Sequence, residues 1–292
     1  MASTTIIPSE PPPDYDTAAA QQGLPMRQTL PVRKGPPPLD IPIVSYLKTK
    51  RVILASASPR RRALLAQIGL TNLEILPSTE PEDLSKQDHG PEGYVAATAQ
   101  RKCLSVYRAA LAAQEAAAAA AAVPTPDDPA VVIAADTIVV TTDGAVLEKP
   151  RSAADHARML RRLRDDGAHR VLTAVCCLAP RADARHPGYD LAAHTEETRV
   201  VFAAAADGLP DDVVDAYVRT REGADKAGGY ALQGVAGSLL VKRVEGSVDN
   251  VVGLPVRKCL QLCEKVVFRQ SEYGEEEEGE GEEEEEGEGE ED

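Results

Sequence analysis

The sequence predicts an α/β fold, because patterns typical of strands and of helices alternate along most of its 292 residues. Residues 51–56 form a short apolar run, as a buried strand does, and residues 131–141 form a longer run rich in β-branched side chains. Residues 255–268 carry apolar side chains at helical spacing and begin with a proline. These three segments predict a sheet whose strands are connected by packed helices.

The first helix is predicted directly after the first strand. Ser58 suits the N-cap, because its hydroxyl can accept a hydrogen bond from a free backbone N–H, and Pro59 suits the first helical position. Leu64 and Leu65 give this helix an apolar face, and Gly69 predicts its end.

The remaining elements follow the same alternation. Residues 92–108 predict a helix, and the Ala-rich stretch after it predicts a helix extension and then an inserted loop at about 112–129. Ser152 and Asp155 form a capping pair that predicts the start of another helix. Strands are expected at 170–178, 197–204 and 238–244, and a further helix at 211–218.

Composition divides the chain into three parts. Residues 1–46, rich in Pro, Gln and Thr, predict a disordered extension, with a partner-docking motif as the alternative. Residues 47–270 predict one folded domain, and residues 271–292 predict a disordered acidic tail. From residue 275 onward the tail holds thirteen Glu and one Asp, so it carries nearly all of the formal net charge of −15 and leaves −1 on the rest. A near-neutral domain argues against a general nucleic-acid-binding face.

Several classes of protein lose support from motifs that the sequence lacks. It has five cysteines without zinc-ligand spacing, no secretory leader, and no apolar run of about 18 residues. We therefore expect reduced cysteines in the core of a cytoplasmic protein without a transmembrane helix. The chain also lacks a P-loop and a Ser-His-Asp order, which disfavours those two mechanisms.

A cluster of hydroxyl and guanidinium groups lies at the first strand-to-helix junction. Ser56 and Ser58 can donate hydrogen bonds, and the helix N-terminus favours an anion. Arg60 and Arg61 can each bind phosphate oxygens through two parallel hydrogen bonds, although the helix dipole disfavours basic residues at that end. The pattern predicts a polyphosphate site, with an ordinary capped helix as the alternative.

Asp136 interrupts the apolar strand at 131–141. A lone carboxylate in a buried strand costs free energy unless it binds a cation or accepts several hydrogen bonds. Three roles are therefore open for Asp136: a metal ligand, a general base, or a structural acid with hydrogen-bond partners.

Four further residues are weaker candidates. Lys149 and Lys226 could reach a phosphate, although an exposed lysine in a turn is the more common case. Gln233 could bind a base edge through its amide, although polar surface is the simpler interpretation. Glu82 precedes a loop that contains Pro and Gly, and a solvated acid is the default interpretation there.

Five blocks of sequence together resemble the Maf family of nucleotide pyrophosphatases. One block alone would be weak, but all five occur in the family's order and span most of residues 51–268. The blocks are 53–65, 135–140, 148–150, 225–234, and 245–247 together with 252–255.

The resemblance implies an elongated mixed sheet flanked by helices around a central cleft, similar to inosine triphosphate pyrophosphatases. It also implies that water activated by a divalent metal, Mg²⁺ or Mn²⁺, attacks the α-phosphate and releases pyrophosphate. Asp136 matches the catalytic acid, which is a proton acceptor and metal ligand, and Glu82 matches a second acid near the metal. The matched substrate contacts are Ser56, Ser58, Arg60, Arg61, Lys149 and Lys226, and Lys102 in the early helix.

The resemblance also favours the branch of the family that acts on dTTP and UTP. The pair Asp136-Thr137 and the late Lys226 are typical of that branch. Arg60, Thr137 and Gln233 match its specificity positions. The alternatives are the branch that acts on 7-methyl-GTP and a nucleotide-binding regulator of cell division without catalysis. A homodimer is implied by the family alone, and neither a nucleic acid polymer nor a membrane is expected as a partner.

Overall fold

The computed structural model describes residues 40–81, 83–119, 127–181, 183 and 186–269. The predicted acidic tail, most of the predicted N-terminal extension and the middle of the predicted inserted loop lie outside these ranges. Among the described residues, no helix is both long and apolar enough to pass through a bilayer.

Within the described ranges, seven strands form one mixed sheet. They are β1 (Val52–Leu54), β2 (Leu73–Ile75), β3 (Val131–Val140), β4 (Val146–Leu147), β5 (Ala168–Pro180), β6 (Tyr189–Phe202) and β7 (Val241–Glu245). Their order is β2-β1-β3-β5-β6-β7, with β4 paired to β3. β1 pairs in parallel with β2 and β3, and the other pairings are antiparallel. This mixed sheet, flanked by helices, confirms the predicted fold class.

The described residues form eight helices. They are α1 (Pro42–Leu47), α2 (Pro59–Gln67), α3 (Lys86–Ala119, with a kink at Gly90), α4 (Ala153–Asp166), α5 (Asp211–Thr220), α6 (Val235–Leu239), α7 (Val248–Val252) and α8 (Val256–Phe268). Short 3₁₀ turns lie at Ala205–Asp207 and Ala227–Gly229.

Residues of β3 alternate between two apolar cores, because successive side chains of a strand point to opposite faces. Val131 and Ile133 pack with residues of α1, α2 and α8 on one face. Val132 and Ala134 pack with residues of α3 on the other. A third core joins α4 and α5 to the far end of β3 through Val139. Helices therefore cover both faces of the sheet, and β3 lies between them.

Helix α1 corrects the predicted start of the folded domain. Ile43, Val44 and Leu47 are buried in the first core, so the prediction of disorder is wrong for residues 42–46. Pro42 occupies the first turn of the helix, and its three apolar residues lie on one face. This short signal is hidden in the sequence by the proline-rich composition that precedes it.

Strand β6 is longer than predicted. It spans residues 189–202 rather than 197–204 and pairs with β5 over residues 189–201. Its first half carries half-exposed polar residues such as Asp190 and His194, so no run of apolar residues marks it as a strand. This half of β6 forms a strand because its backbone pairs with β5.

The strand predicted at 238–244 is wrong in its first part. Residues up to Leu239 belong to helix α6, and β7 begins at Val241. The carboxylate of Glu222 accepts hydrogen bonds from the backbone N–H groups of Val235 and Ala236 at the start of α6. A residue distant in sequence thus stabilises a helix where the local pattern favours a strand.

All five cysteines are free and buried, which confirms the prediction of reduced core residues. Cys177, Cys259 and Cys263 lie together, with 3.6 Å between the Sγ atoms of Cys177 and Cys263. Hydrogen bonds to Cys259 and Cys263, together with burial, raise the pKa of the Cys177 thiol. Cys177 is therefore a neutral packing residue at physiological pH.

Candidate active site

A cleft of about 550 Å³ opens beside the middle of β3. The predicted site residues that line this cleft come from five parts of the chain: the junction between β1 and α2, helix α3, strand β3, the turn after β4 and the segment before α6. They are Ser56, Ser58, Arg60, Arg61, Lys102, Asp136, Thr137, Lys149, Lys226 and Gln233. Glu82, the second predicted metal ligand, lies outside the described residues.

The junction between β1 and α2 has the predicted capped geometry. Ser58 is the N-cap, its side chain accepts a hydrogen bond from the Arg61 backbone N–H at 3.5 Å, and Pro59 opens the helix. The Ser58 N–H donates to Ser56 Oγ at 3.2 Å. The positive end of the helix dipole therefore lies at the cleft, as an anion site requires.

The two arginines at this junction make different contacts. Arg61 donates through Nε to the Gly253 carbonyl at 2.7 Å, and through its terminal nitrogens to Ser56 Oγ at 2.9 Å and Thr137 Oγ1 at 3.0 Å. Its guanidinium therefore joins α2, β3 and the turn after α7. Arg60 also lines the cleft, but its guanidinium makes only a long contact, 3.9 Å from the Asp225 carboxylate. Arg60 is thus better placed than Arg61 to bind a phosphate.

Asp136 forms an ion pair with Lys102 of α3. The distance from Lys102 Nζ to Asp136 Oδ1 is 2.8 Å, and the two side chains are only 14% and 13% exposed. The lysine supplies the cation that a carboxylate needs in the middle of a buried strand. The structure therefore joins two predicted site residues that are 34 positions apart in sequence.

Thr137 lies next to Asp136 but points to the opposite face of β3. Its hydroxyl bonds with Arg61 and, at 3.0 Å, with the hydroxyl of Thr173 on β5. Thr173 donates in turn to the Asn250 carbonyl at 2.9 Å. This chain of hydrogen bonds fixes the floor of the cleft beside the acid.

Residues 222–236, here called the lysine segment, bring a second group of charges to the cleft. Lys226 Nζ donates to the Asp225 carboxylate and to the Glu222 carbonyl, both at 2.5 Å. Burial raises the pKa of Asp225, but the hydrogen bond and charge of Lys226 outweigh it, so the net pKa is lowered. Asp225 therefore lies as an anion between Lys226 and Arg60. Sequence reasoning missed this contact between the two ends of the site.

The turn after β4 contributes one predicted and one overlooked residue. Lys149 is exposed and lines the cleft, as predicted. Its neighbour Glu148 also lines the cleft, where it accepts a hydrogen bond from Tyr94 Oη at 3.0 Å and pairs with Lys86 at 2.8 Å. Glu148 lies within the sequence block 148–150 described above, and its place in that block was the sequence signal that could have identified it as a site residue.

Buried histidines hold the lysine segment from behind. His156 of α4 places Nε2 2.5 Å from the Gly229 carbonyl, and a carbonyl can only accept, so this nitrogen carries a proton. His169 of β5 places Nε2 2.7 Å from Tyr230 Oη. Burial lowers the pKa of His169 to about 3. Burial also raises the pKa of Tyr230, so this second pair is neutral at physiological pH.

The buried His169 predicts a loss of stability in mild acid. The folded pKa is about 3 and the ordinary value is 6.5, so between these values the unfolded chain binds a proton that the folded chain does not. The free energy of unfolding is therefore highest above pH 6.5, and it falls as the pH is lowered toward 3. We expect a loss of about 2 kcal/mol in unfolding free energy between pH 7 and pH 5.

Urea denaturation at the two pH values measures this effect. The matched variant His169→Gln keeps a polar partner for Tyr230 but cannot titrate, so its stability should change less between the same pH values. An equal change in both proteins would show that other groups cause it.

A family model and several relatives match most of the chain. A model of the Maf family, described as Maf-like protein, matches residues 51–266. A dTTP/UTP pyrophosphatase of Schizosaccharomyces pombe is 43% identical over 231 residues, which cover 78% of this chain and 89% of that protein. The dTTP/UTP pyrophosphatase of Anaeromyxobacter dehalogenans strain 2CP-1 is 43% identical over 75% of this chain and 95% of that protein.

Two further similarities differ in coverage or strength. A human protein called probable bifunctional dTTP/UTP pyrophosphatase/methyltransferase protein is 38% identical over 76% of this chain, but the match covers 33% of the human chain. A crystal structure of a nucleoside-triphosphatase, named dITP/XTP pyrophosphatase, from Mycobacterium abscessus aligns with a TM-score of 0.29. That alignment has 12% identity and covers 52% of this chain and 74% of the other, which is too weak to support a conclusion.

Proposed function

The chain belongs to the Maf family, and we propose that it hydrolyses dTTP and UTP to the nucleoside monophosphate and pyrophosphate. The observation that carries the proposal is the placement of Asp136, an acid held by Lys102 in a cleft that also contains Arg60, Lys149 and Lys226. Its relatives in Schizosaccharomyces pombe and Anaeromyxobacter dehalogenans are called dTTP/UTP pyrophosphatases.

The cations of the cleft bind the triphosphate. Arg60 and Lys226 now share the Asp225 carboxylate, and a polyphosphate offers both of them a stronger anion. Lys149 is exposed at the cleft and adds a third positive charge. The positive end of the α2 dipole, which lies at the cleft, also favours the same ligand. These groups stabilise the charge that grows on the departing pyrophosphate.

Asp136 removes the proton from the attacking water. The water oxygen forms a bond to the α-phosphorus, the bond from that phosphorus to the oxygen bridging to the β-phosphorus breaks, and the proton moves to Asp136. Lys102 holds Oδ1 of this carboxylate at 2.8 Å and so fixes its direction. A proton acceptor placed in this way contributes about 10²- to 10⁴-fold to a rate.

A divalent cation fits the chemistry of this site. Asp136 offers the hard oxygen donors that Mg²⁺ and Mn²⁺ prefer, and Mg²⁺ is commonly held by one or two carboxylates together with substrate phosphates. Asp136 would hold the ion together with the triphosphate, and the ion would neutralise part of the phosphate charge. Glu82 stays a predicted second ligand.

The base is bound at Gln233. Gln233 is exposed to the cleft, and its amide offers a donor and an acceptor to the imide edge of thymine or uracil. Specificity roles for Arg60 and Thr137 stay predictions, since the hydroxyl of Thr137 is already bonded to Arg61 and Thr173.

A nucleotide panel tests the proposal. With Mg²⁺ or Mn²⁺ present, we expect pyrophosphate release from dTTP and UTP to exceed release from 7-methyl-GTP, because Gln233 complements the pyrimidine imide. Excess chelator should abolish turnover. A preference for 7-methyl-GTP would overturn the choice of substrate, and tight binding of every nucleotide without turnover would favour a regulator instead.

Two further expectations accompany this proposal, one from the family and one from the sequence. A homodimer and a cytoplasmic location stay predictions, and gel filtration and localisation of the tagged full-length chain address them.

A further inference from the structure

The lysine segment presents two predicted substrate contacts to the cleft, Lys226 and Gln233. They are seven positions apart in sequence and serve different parts of the proposed nucleotide, its phosphates and its base. Glu222, at the start of the segment, makes contacts at both ends of it.

The carboxylate of Glu222 bonds to the backbone just after Gln233. Oε1 accepts from the Val235 N–H at 3.1 Å and Oε2 accepts from the Ala236 N–H at 3.2 Å. Each carboxylate oxygen therefore satisfies one free N–H at the start of α6. Gln233 lies two residues before Val235 and three before Ala236, so these bonds restrain the backbone that carries its side chain.

The backbone between Gln233 and α6 lies directly against the same carboxylate. A Cβ on Gly234 would lie 1.9 Å from Glu222 Oε1, so any side chain at this position would displace one of the two residues. Close packing of Gly234 on the carboxylate limits the positions that Gln233 can adopt.

The backbone of Glu222 holds the other end of the segment. Its carbonyl oxygen accepts a hydrogen bond from the Lys226 ammonium at 2.5 Å, and its N–H donates a hydrogen bond to Thr220 Oγ1 at 3.2 Å. Glu222 therefore lies between the group proposed to bind phosphate and the group proposed to bind the base.

We propose that Glu222 is a positioning residue that sets the base specificity of the enzyme. By holding the backbone after Gln233, it keeps the Gln233 amide where uracil and thymine can bond to it through a ring N–H flanked by carbonyls. Cytosine presents an amino group and an unprotonated ring nitrogen there, so it needs the reverse order of donor and acceptor and pairs only if the Gln233 side chain can rearrange. This inference rests on the proposed function, since it assumes hydrolysis of pyrimidine triphosphates.

The test is the ratio of kcat/KM for UTP to kcat/KM for CTP. In Glu222→Ala we expect this ratio to fall about tenfold. A loosely held Gln233 amide can rearrange to pair with cytosine, so binding of the wrong base no longer leaves hydrogen-bonding groups unpaired. Glu222→Gln keeps one carbonyl oxygen as an acceptor, so its ratio should lie between those of the wild type and Glu222→Ala.

Asp155→Ala is the matched control. Asp155 also accepts a backbone N–H near the start of a helix, from Arg151 at 2.9 Å, and it does not line the cleft. Its UTP-to-CTP ratio should equal that of the wild type. A lowered melting temperature in Glu222→Ala with an unchanged ratio would overturn the proposal, since Glu222 would then stabilise the fold only.

A double variant shows whether Glu222 acts through Gln233. If it does, adding Glu222→Ala to Gln233→Ala should not lower the UTP-to-CTP ratio further. An additional loss in the double variant would overturn the proposal. Should Glu222→Ala fail to fold, Glu222→Gln is compared in the same way. A wild-type protein that hydrolyses neither nucleotide would refute the proposed function itself, which is a different result from an active enzyme with an unchanged ratio.

Discussion

Replacing Asp136 with asparagine is expected to lower kcat for UTP at least about 10²-fold, because the amide cannot accept the proton of the attacking water. The change preserves the shape of the side chain and an oxygen that can face Lys102 Nζ, now 2.8 Å from the carboxylate. The fold should therefore survive. Steady-state pyrophosphate release and thermal denaturation measure the two effects separately.

A matched control for this variant is Asp190→Asn. Asp190 pairs with Arg181 at 3.0 Å, and its side chain is 18% exposed, close to the 13% of Asp136, but it does not line the cleft. This control should retain wild-type kcat. Equal activity in Asp136→Asn and the wild type would refute the role of Asp136 as proton acceptor.

Replacing either Arg60 or Arg61 should reduce activity, but only the replacement of Arg61 should also lower the free energy of unfolding. In Arg61→Met, the Gly253 carbonyl and the hydroxyls of Ser56 and Thr137 lose a charged donor. We expect the unfolding free energy to fall by about 2–4 kcal/mol, since hydrogen bonds to a charged group are each worth about 1.5–3 kcal/mol and are not additive.

Arg60→Met provides the comparison within the same helix turn. Arg60 makes a long surface contact with Asp225 at 3.9 Å, and such contacts contribute about 0–1 kcal/mol. We expect KM for UTP to rise while stability stays near that of the wild type. Urea denaturation and steady-state kinetics on both variants give the answer, and equal destabilisation by the two changes would contradict the assignment.

These two arginines illustrate what the sequence could and could not predict. The cap at Ser58 was predictable, because capping depends on residues three or four positions apart. The direction of the Arg61 guanidinium was not, because its carbonyl partner Gly253 lies 192 positions away. Neighbouring residues of one type on a helix can therefore have different roles, which tertiary contacts decide.

The same limit applies to the acid and to the lysine segment. An isolated acid in an apolar strand indicates that Asp136 needs a cation or several hydrogen bonds, but spacing alone does not identify Lys102 as its partner. The local pattern predicts a strand from residue 238, yet residues 238 and 239 end the helix Val235–Leu239, whose stabilising carboxylate belongs to Glu222. Local patterns predicted most elements and the central acid, whereas contacts between distant segments determine how the site is held.

Because successive residues of β3 face two different cores, insertions and deletions of single codons are restricted in this part of the gene. Asp136 faces α3 and Lys102, whereas Thr137 faces α2 and Arg61. A strand repeats every two residues, so one codon inserted or deleted between Val131 and Asp136 would exchange the two faces, and the acid would face the guanidinium. A change in length is therefore not tolerated within this strand, and it is better tolerated in the stretch before it, where the sequence predicts an inserted loop.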